Sequence, residues 1–152
     1  MGLHLASVHV PANERLNNTN PGIYLRHEAG WTAGVYYNSL KRTSVYGGYT
    51  FTTRAISPKL PLSLTVGAIT GYQRRKETFA CKHGEDRGRT GSRCSRTVGF
   101  SSGPVTAMAA PSVAFPTLEL ATGFLPRLSY VPSVGVGNEF NVLHLSVERA
   151  FR

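Results

Sequence analysis

The stretch Gly30-Trp-Thr-Ala-Gly-Val-Tyr-Tyr-Asn-Ser-Leu-Lys-Arg-Thr-Ser-Val-Tyr-Gly-Gly-Tyr-Thr-Phe51 decides how the rest of the chain is read. An apolar file runs through Trp31, Ala33, Val35 and Tyr37 and resumes at Val45, Gly47, Tyr49 and Phe51. Thr32, Gly34, Tyr36 and Asn38, then Ser44, Tyr46, Gly48 and Thr50, form the opposite face. Period two on both sides of a polar turn predicts a β-hairpin. An aromatic outer face over a small, polar inner face is the pattern of a membrane-barrel hairpin, and a half-buried soluble hairpin gives nearly the same string.

Composition points the same way. The chain has 152 residues, enough for one domain, 1–152, that could be a small barrel or sandwich. Charged residues are only 16%, with 16 Gly and 9 Pro, which favours short strands and turns and predicts an all-β class. Seventeen Lys and Arg against eight Asp and Glu give a net charge of +9, so a polyanionic partner is expected: anionic lipid, phosphorylated glycolipid or nucleic acid. No apolar run reaches the roughly 20 residues of a transmembrane helix, which leaves spanning by strands open. The start Met1-Gly-Leu-His-Leu shows neither the charged nor the apolar region of a secretory signal.

Along the chain, Leu3 to Val10 reads as a first strand and Gly22 to Glu28 as a second, separated by a loop dense in Asn and Pro. The hairpin supplies two more. Pro61 to Tyr72 is a fifth, with Leu62, Leu64, Val66, Ala68 and Tyr72 alternating with Ser63, Thr65, Gly67 and Gly71. From about 73 to 102 the chain turns basic and poor in aliphatics, and a long loop is expected. Pro104 to Phe115 and Thr117 to Tyr130 follow as strands hinged at Pro116, and Phe140 to Phe151 closes the chain. Eight strands without a crossover helix predict an antiparallel up-and-down barrel, with a soluble lipocalin-like or sandwich domain as the alternative. Arg26, Glu119, Arg127 and Glu148 lie within strands, where a membrane barrel requires them to face the lumen or a rim.

In such a meander the ends of strands one, three and five share a rim. His9, the turn at Asn38-Ser39 and the basic loop therefore fall together. A His and a Ser on one rim suit acyl transfer, with the imidazole as general base and the hydroxyl as nucleophile or orienting group.

Several landmarks occur in an order that resembles the outer-membrane lipid A palmitoyltransferase family. They are His9 closing the first strand, Asn17-Asn-Thr-Asn-Pro-Gly22, Gly30-Trp31, the Tyr-Tyr-Asn-Ser turn, Leu62 to Gly71 with alternating glycines, and the closing strand Asn141 to Phe151. The resemblance implies an eight-stranded barrel in an outer membrane, acting as a monomer and without a cofactor or metal. It also implies the family's activity, transfer of a palmitoyl chain from phospholipid to the lipid A of lipopolysaccharide. The family's catalytic His, Asp and Ser fall on His9, Asn38 and Ser39. Asn38 departs from the pattern, because an amide orients a ring nitrogen but carries no charge to stabilise an imidazolium.

Outside those landmarks, Arg42, Arg74, Arg75, Lys76 and Arg87 are expected to contact lipid A phosphates if the rim faces a membrane. Nucleic acid is the weaker target, since the basic loop has only Phe79 among its basic residues, and Phe100 near its end, as stacking aromatics. Under the family-like placement Cys81 and Cys94 are expected to close the basic loop as a disulfide. Metal ligation by Cys81, His83 and Cys94 has spacings unlike a zinc finger.

Overall fold

The computed structural model describes residues 1–10, 16–54, 59–80, 93–99, 102–118, 123–131 and 141–149. The strands are β1 (Gly2–Val10), β2 (Thr19–Arg26), β3 (Trp31–Tyr37), β4 (Thr43–Thr53), β5 (Leu62–Thr70), β6 (Arg75–Ala80), β7 (Arg93–Val98), β8 (Val105–Ala114), β9 (Leu125–Val131) and β10 (Asn141–Glu148). Eight of them close an antiparallel barrel in the order β1-β10-β9-β8-β5-β4-β3-β2, while β6 and β7 pair only with each other. The barrel is the expected up-and-down meander, sealed where the first strand meets the last: Leu3 pairs with Val147 and His9 with Val142.

The barrel is apolar outside and polar within. Among the described residues, eighteen large hydrophobic side chains are exposed, including Leu25, Trp31, Val45, Phe51, Leu64, Val105 and Leu145. The buried set is mostly polar: Ser7, His9, Asn20, Thr32, Asn38, Ser44, Thr50, Ser63, Arg127 and Ser146. The outward file of the opening hairpin is the one read from its period-two pattern. Hydroxyls join the strands from inside, Thr32 to Thr50 at 2.8 Å and Thr50 to Thr65 at 2.9 Å.

Two irregularities set which side chains face in. In β1 the register with β10 shifts between His4 and Ala6, so Leu5 is an extra residue. Inward positions are even before the bulge (Gly2, His4) and odd after it (Ser7, His9). Without the bulge, His9 would point outward. At the end of β5, Gly71 takes φ +87°, a left-handed conformation open to glycine, and the chain re-enters with Tyr72 turned inward. Tyr72 therefore does not continue the outward file of Leu62, Leu64, Val66 and Ala68 as the alternation suggested; its hydroxyl meets that of Tyr36 at 2.7 Å.

The basic stretch is not a plain loop. Arg75 to Ala80 and Val98 to Arg93 pair in register as a two-stranded ribbon outside the barrel wall. The expected strand from Thr117 to Tyr130 is also shorter. Pro116–Leu118 forms a 3-10 turn, closed by the Leu118 amide donating to the Phe115 carbonyl at 3.0 Å, and β9 begins at Leu125. Proline fixes φ near the helical value and supplies no ladder donor, which favours the turn over the strand.

Candidate functional site

One rim carries the chain between β1 and β2, the turn between β3 and β4, the ribbon, and the start of β10; the other carries Met1 and the turn at His27–Gly30. His9, Asn38, Ser39 and Arg42 lie at the first rim. So do Arg74, Arg75 and Lys76 at the base of the ribbon, all three exposed. Arg42 Nη1 donates to the Gln73 carbonyl at 2.9 Å, which draws the turn and the base of the ribbon together. Arg87 and Cys81 lie outside the described residues; Cys94, on β7, is disulfide-bonded. No cluster of metal-ligating side chains occurs among the described residues.

His9 is 3% exposed. Its Nδ1 lies 2.8 Å from Asn18 Oδ1, and its Nε2 is buried with no hydrogen-bond partner. An amide oxygen only accepts, so Nδ1 carries a proton, and in the neutral tautomer that this selects the lone pair lies on Nε2. The segment holding Asn18 is tied to β1 by the Ser7 amide donating to the Asn18 carbonyl at 2.8 Å. It is tied to the next turn by the Asn17 amide donating to the Ser39 carbonyl at 2.9 Å. Below it, the Ser7 hydroxyl donates to Asn20 Oδ1 at 2.5 Å and Asn20 Nδ2 donates to the Tyr37 carbonyl at 3.0 Å.

Asn38 has a different role from the one its position in the family pattern suggested. Its Nδ2 donates to Ser44 Oγ at 2.8 Å and to the Gly71 carbonyl at 3.1 Å. Its Oδ1 accepts from the Leu40 amide at 2.9 Å and the Arg42 amide at 3.0 Å. Both donors and both lone pairs are used, so the side chain holds the turn and has nothing left for an imidazole. The orienting amide beside His9 is Asn18, which no motif singled out; it sat unremarked in the Asn-rich run. Ser39 and Tyr72 line the same cavity as His9.

That cavity, about 190 Å³, runs down the lumen from Ser39 and Leu40 at the rim to Arg26 and Arg127 near the other end. Midway, the rings of Tyr24, Tyr36, Tyr46 and His144 gather around His4, at centroid distances between 4.8 and 5.6 Å. His4 Nδ1 lies 2.7 Å from His144 Nε2, and His4 Nε2 lies 2.9 Å from the Tyr46 hydroxyl. At the floor, Glu148 Oε2 accepts from Arg26 Nη2 at 2.8 Å, Arg127 Nε at 3.0 Å and Tyr24 Oη at 3.3 Å. Arg26, Arg127 and Glu148, the charged residues of the barrel strands described, thus face the lumen, as a membrane barrel requires; Glu119 lies outside the described residues.

The chain matches no protein-family model, no curated protein and no solved structure.

Proposed function

We propose that this protein is an outer-membrane β-barrel that acts on lipid at its long-loop rim, as an acyltransferase of the lipid A palmitoyltransferase type. The observation that carries the chemistry is His9: a buried imidazole, held on Nδ1 by Asn18 and with Nε2 unpartnered, that lines a cavity together with Ser39. In this reading Nε2 takes the proton of a lipid A hydroxyl as its oxygen attacks an ester carbonyl of a phospholipid. The acyl–oxygen bond then breaks, and the lysophospholipid alkoxide leaves with the proton returned from the imidazolium. Ser39 orients the acceptor hydroxyl. Arg42, Arg74, Arg75 and Lys76 lie at the same rim, where they would meet lipid A phosphates. Placement in a bilayer rests on the exposed apolar face, since soluble monomers rarely expose contiguous apolar surface of this extent.

Two observations favour a second reading, a lipopolysaccharide-binding barrel without catalysis. No acidic side chain is bonded to His9, and the lumen floor is charged, where a long acyl tail would need apolar walls to its end.

Bilayer insertion is tested with the only tryptophan, Trp31, which points outward and is 66% exposed. Brominated phospholipids are expected to quench it after reconstitution; unchanged emission ends the membrane reading. The activity is tested by mass spectrometry of lipid A from Gram-negative cells expressing wild type, His9→Ala or Ser39→Ala. Added acyl mass in wild type that is lost in His9→Ala supports the enzyme, and a wild type that adds none leaves the binding barrel.

A further inference from the structure

We propose that the floor of the lumen is a carboxylate site and that the channel above it takes a short fatty-acid anion, head down against Arg26. The site lies at the opposite end of the lumen from His9 and does not rest on the acyl-transfer reading.

The charge count comes first. Arg26 on β2, Arg127 on β9 and Glu148 on β10 converge with side-chain exposures of 16%, 9% and 19%. Two guanidinium groups share one carboxylate, and no other described inward-facing strand position is acidic, so the cluster carries one uncompensated positive charge. Arg26, Arg127 and Tyr24 all donate to one oxygen of Glu148, Oε2, and its single negative charge cannot neutralise two guanidinium groups. Arg127 turns Nη1 to neutral oxygens, Ser63 Oγ at 3.1 Å and Ser112 Oγ at 3.0 Å. Arg26 Nε is buried and has no hydrogen-bond partner. The Arg26 side chain lines the cavity, although Nε itself has almost no accessible surface; buried charge away from water is unfavourable unless paired, so this side chain favours an anionic oxygen beside it.

The walls choose the rest of the ligand. Above the arginines the cavity passes Thr65, Ile69, Met108, Ala110 and Val131, small or apolar side chains that leave a narrow passage beside the aromatic cluster. A single excess charge matches a monoanion, whereas a phosphate dianion would overcompensate it. A chloride ion would leave the apolar passage unfilled, and an alkyl chain of a few carbons fills it. The volume of about 190 Å³ lies below the ~300–1,000 Å³ of drug-sized sites, which suits a short chain.

The experiment measures retention of carboxyl-labelled octanoate by the barrel reconstituted in phospholipid nanodiscs, with empty nanodiscs as background. Saturable retention by wild type is expected. Arg26→Gln leaves a neutral Arg127–Glu148 pair and should weaken binding at least tenfold. Glu148→Gln raises the excess charge and should tighten it. Folding of each variant is followed by its heat-modifiable gel mobility; should Arg26→Gln fail to fold, the Glu148→Gln comparison and an octanoate-induced shift of the Arg26 Nε–H resonance in wild type decide. Equal retention by wild type and Arg26→Gln overturns the proposal, as does weaker binding by folded Glu148→Gln or an unmoved Arg26 resonance. Equal competition by octanol removes the carboxylate, and equal competition by chloride or phosphate removes the alkyl chain; either result overturns it.

Discussion

The two arcs of the barrel fill the lumen in opposite ways. On β1 to β4 and β10 the inward positions carry rings, and glycines make room for them. A Cβ on Gly34 would lie 2.7 Å from Tyr24 Cβ and from the Tyr46 ring, and one on Gly2 would lie 2.1 Å from the Tyr24 ring. On β5, β8 and β9 the inward positions are mostly small: Ser63, Thr65, Gly67, Ala110, Ser112 and Ser129. From that side Ile69 and Met108 reach the ring cluster and Arg127 reaches the floor. The contrast teaches that the passage is a consequence of asymmetric packing, since rings from one arc cover the centre and leave space against the other. The floor is where the arcs are tied, through Arg26 from the crowded side and Arg127 from the sparse one.

Cutting that tie should have the largest effect. Glu148→Leu strands two buried guanidinium groups and is expected to lower stability by about 3–5 kcal/mol, read from the denaturation midpoint in detergent; a loss within 1 kcal/mol would mean the floor is solvated. Next is Gly34→Val, which forces a side chain into the Tyr24 and Tyr46 rings and should cost about 2–3 kcal/mol by the same measurement. Asn38→Ala removes four hydrogen bonds of a buried turn and should cost about 1–3 kcal/mol. Asn38→Asp is informative beside it: the carboxylate keeps both acceptors but loses both donors to Ser44 and Gly71, so an acid at this position should still destabilise the turn. The smallest effect belongs to the sparse arc. Ala110→Val has space to occupy and should change stability by less than about 0.5 kcal/mol. If it costs as much as Gly34→Val, the two arcs are equally packed and the contrast fails.

Much of the fold was legible because alternation is a local signal. Trp31, Ala33, Val35 and Tyr37 face outward because each strand residue reverses face, and Arg26, Arg127 and Glu148 face inward by the same rule. The basic ribbon was not legible: its strands carry charges on both faces and pair with each other alone, so no burial imprints a hydrophobic period. At the rim, the sequence brought His9 and Ser39 to one end of the barrel but misread Asn38, whose position in a motif says nothing about the turn amides that occupy it. Asn18 was hidden among four asparagines between residues 13 and 20, indistinguishable by composition from turn formers.

The sequence alone determined an all-β chain of alternating strands, and with it the two faces of the opening hairpin and the shared rim of His9, Asn38 and Ser39. Tertiary structure decided that His9 points inward, because the extra residue Leu5 is defined only by the register of β1 against β10 at the far end of the chain. It decided that Tyr72 turns inward, through one backbone angle at Gly71. It also decided that residues 26, 127 and 148 meet, because closing the barrel brings β2, β9 and β10 around one lumen. Local alternation records which way a side chain leaves its own strand, and only closure decides what it meets.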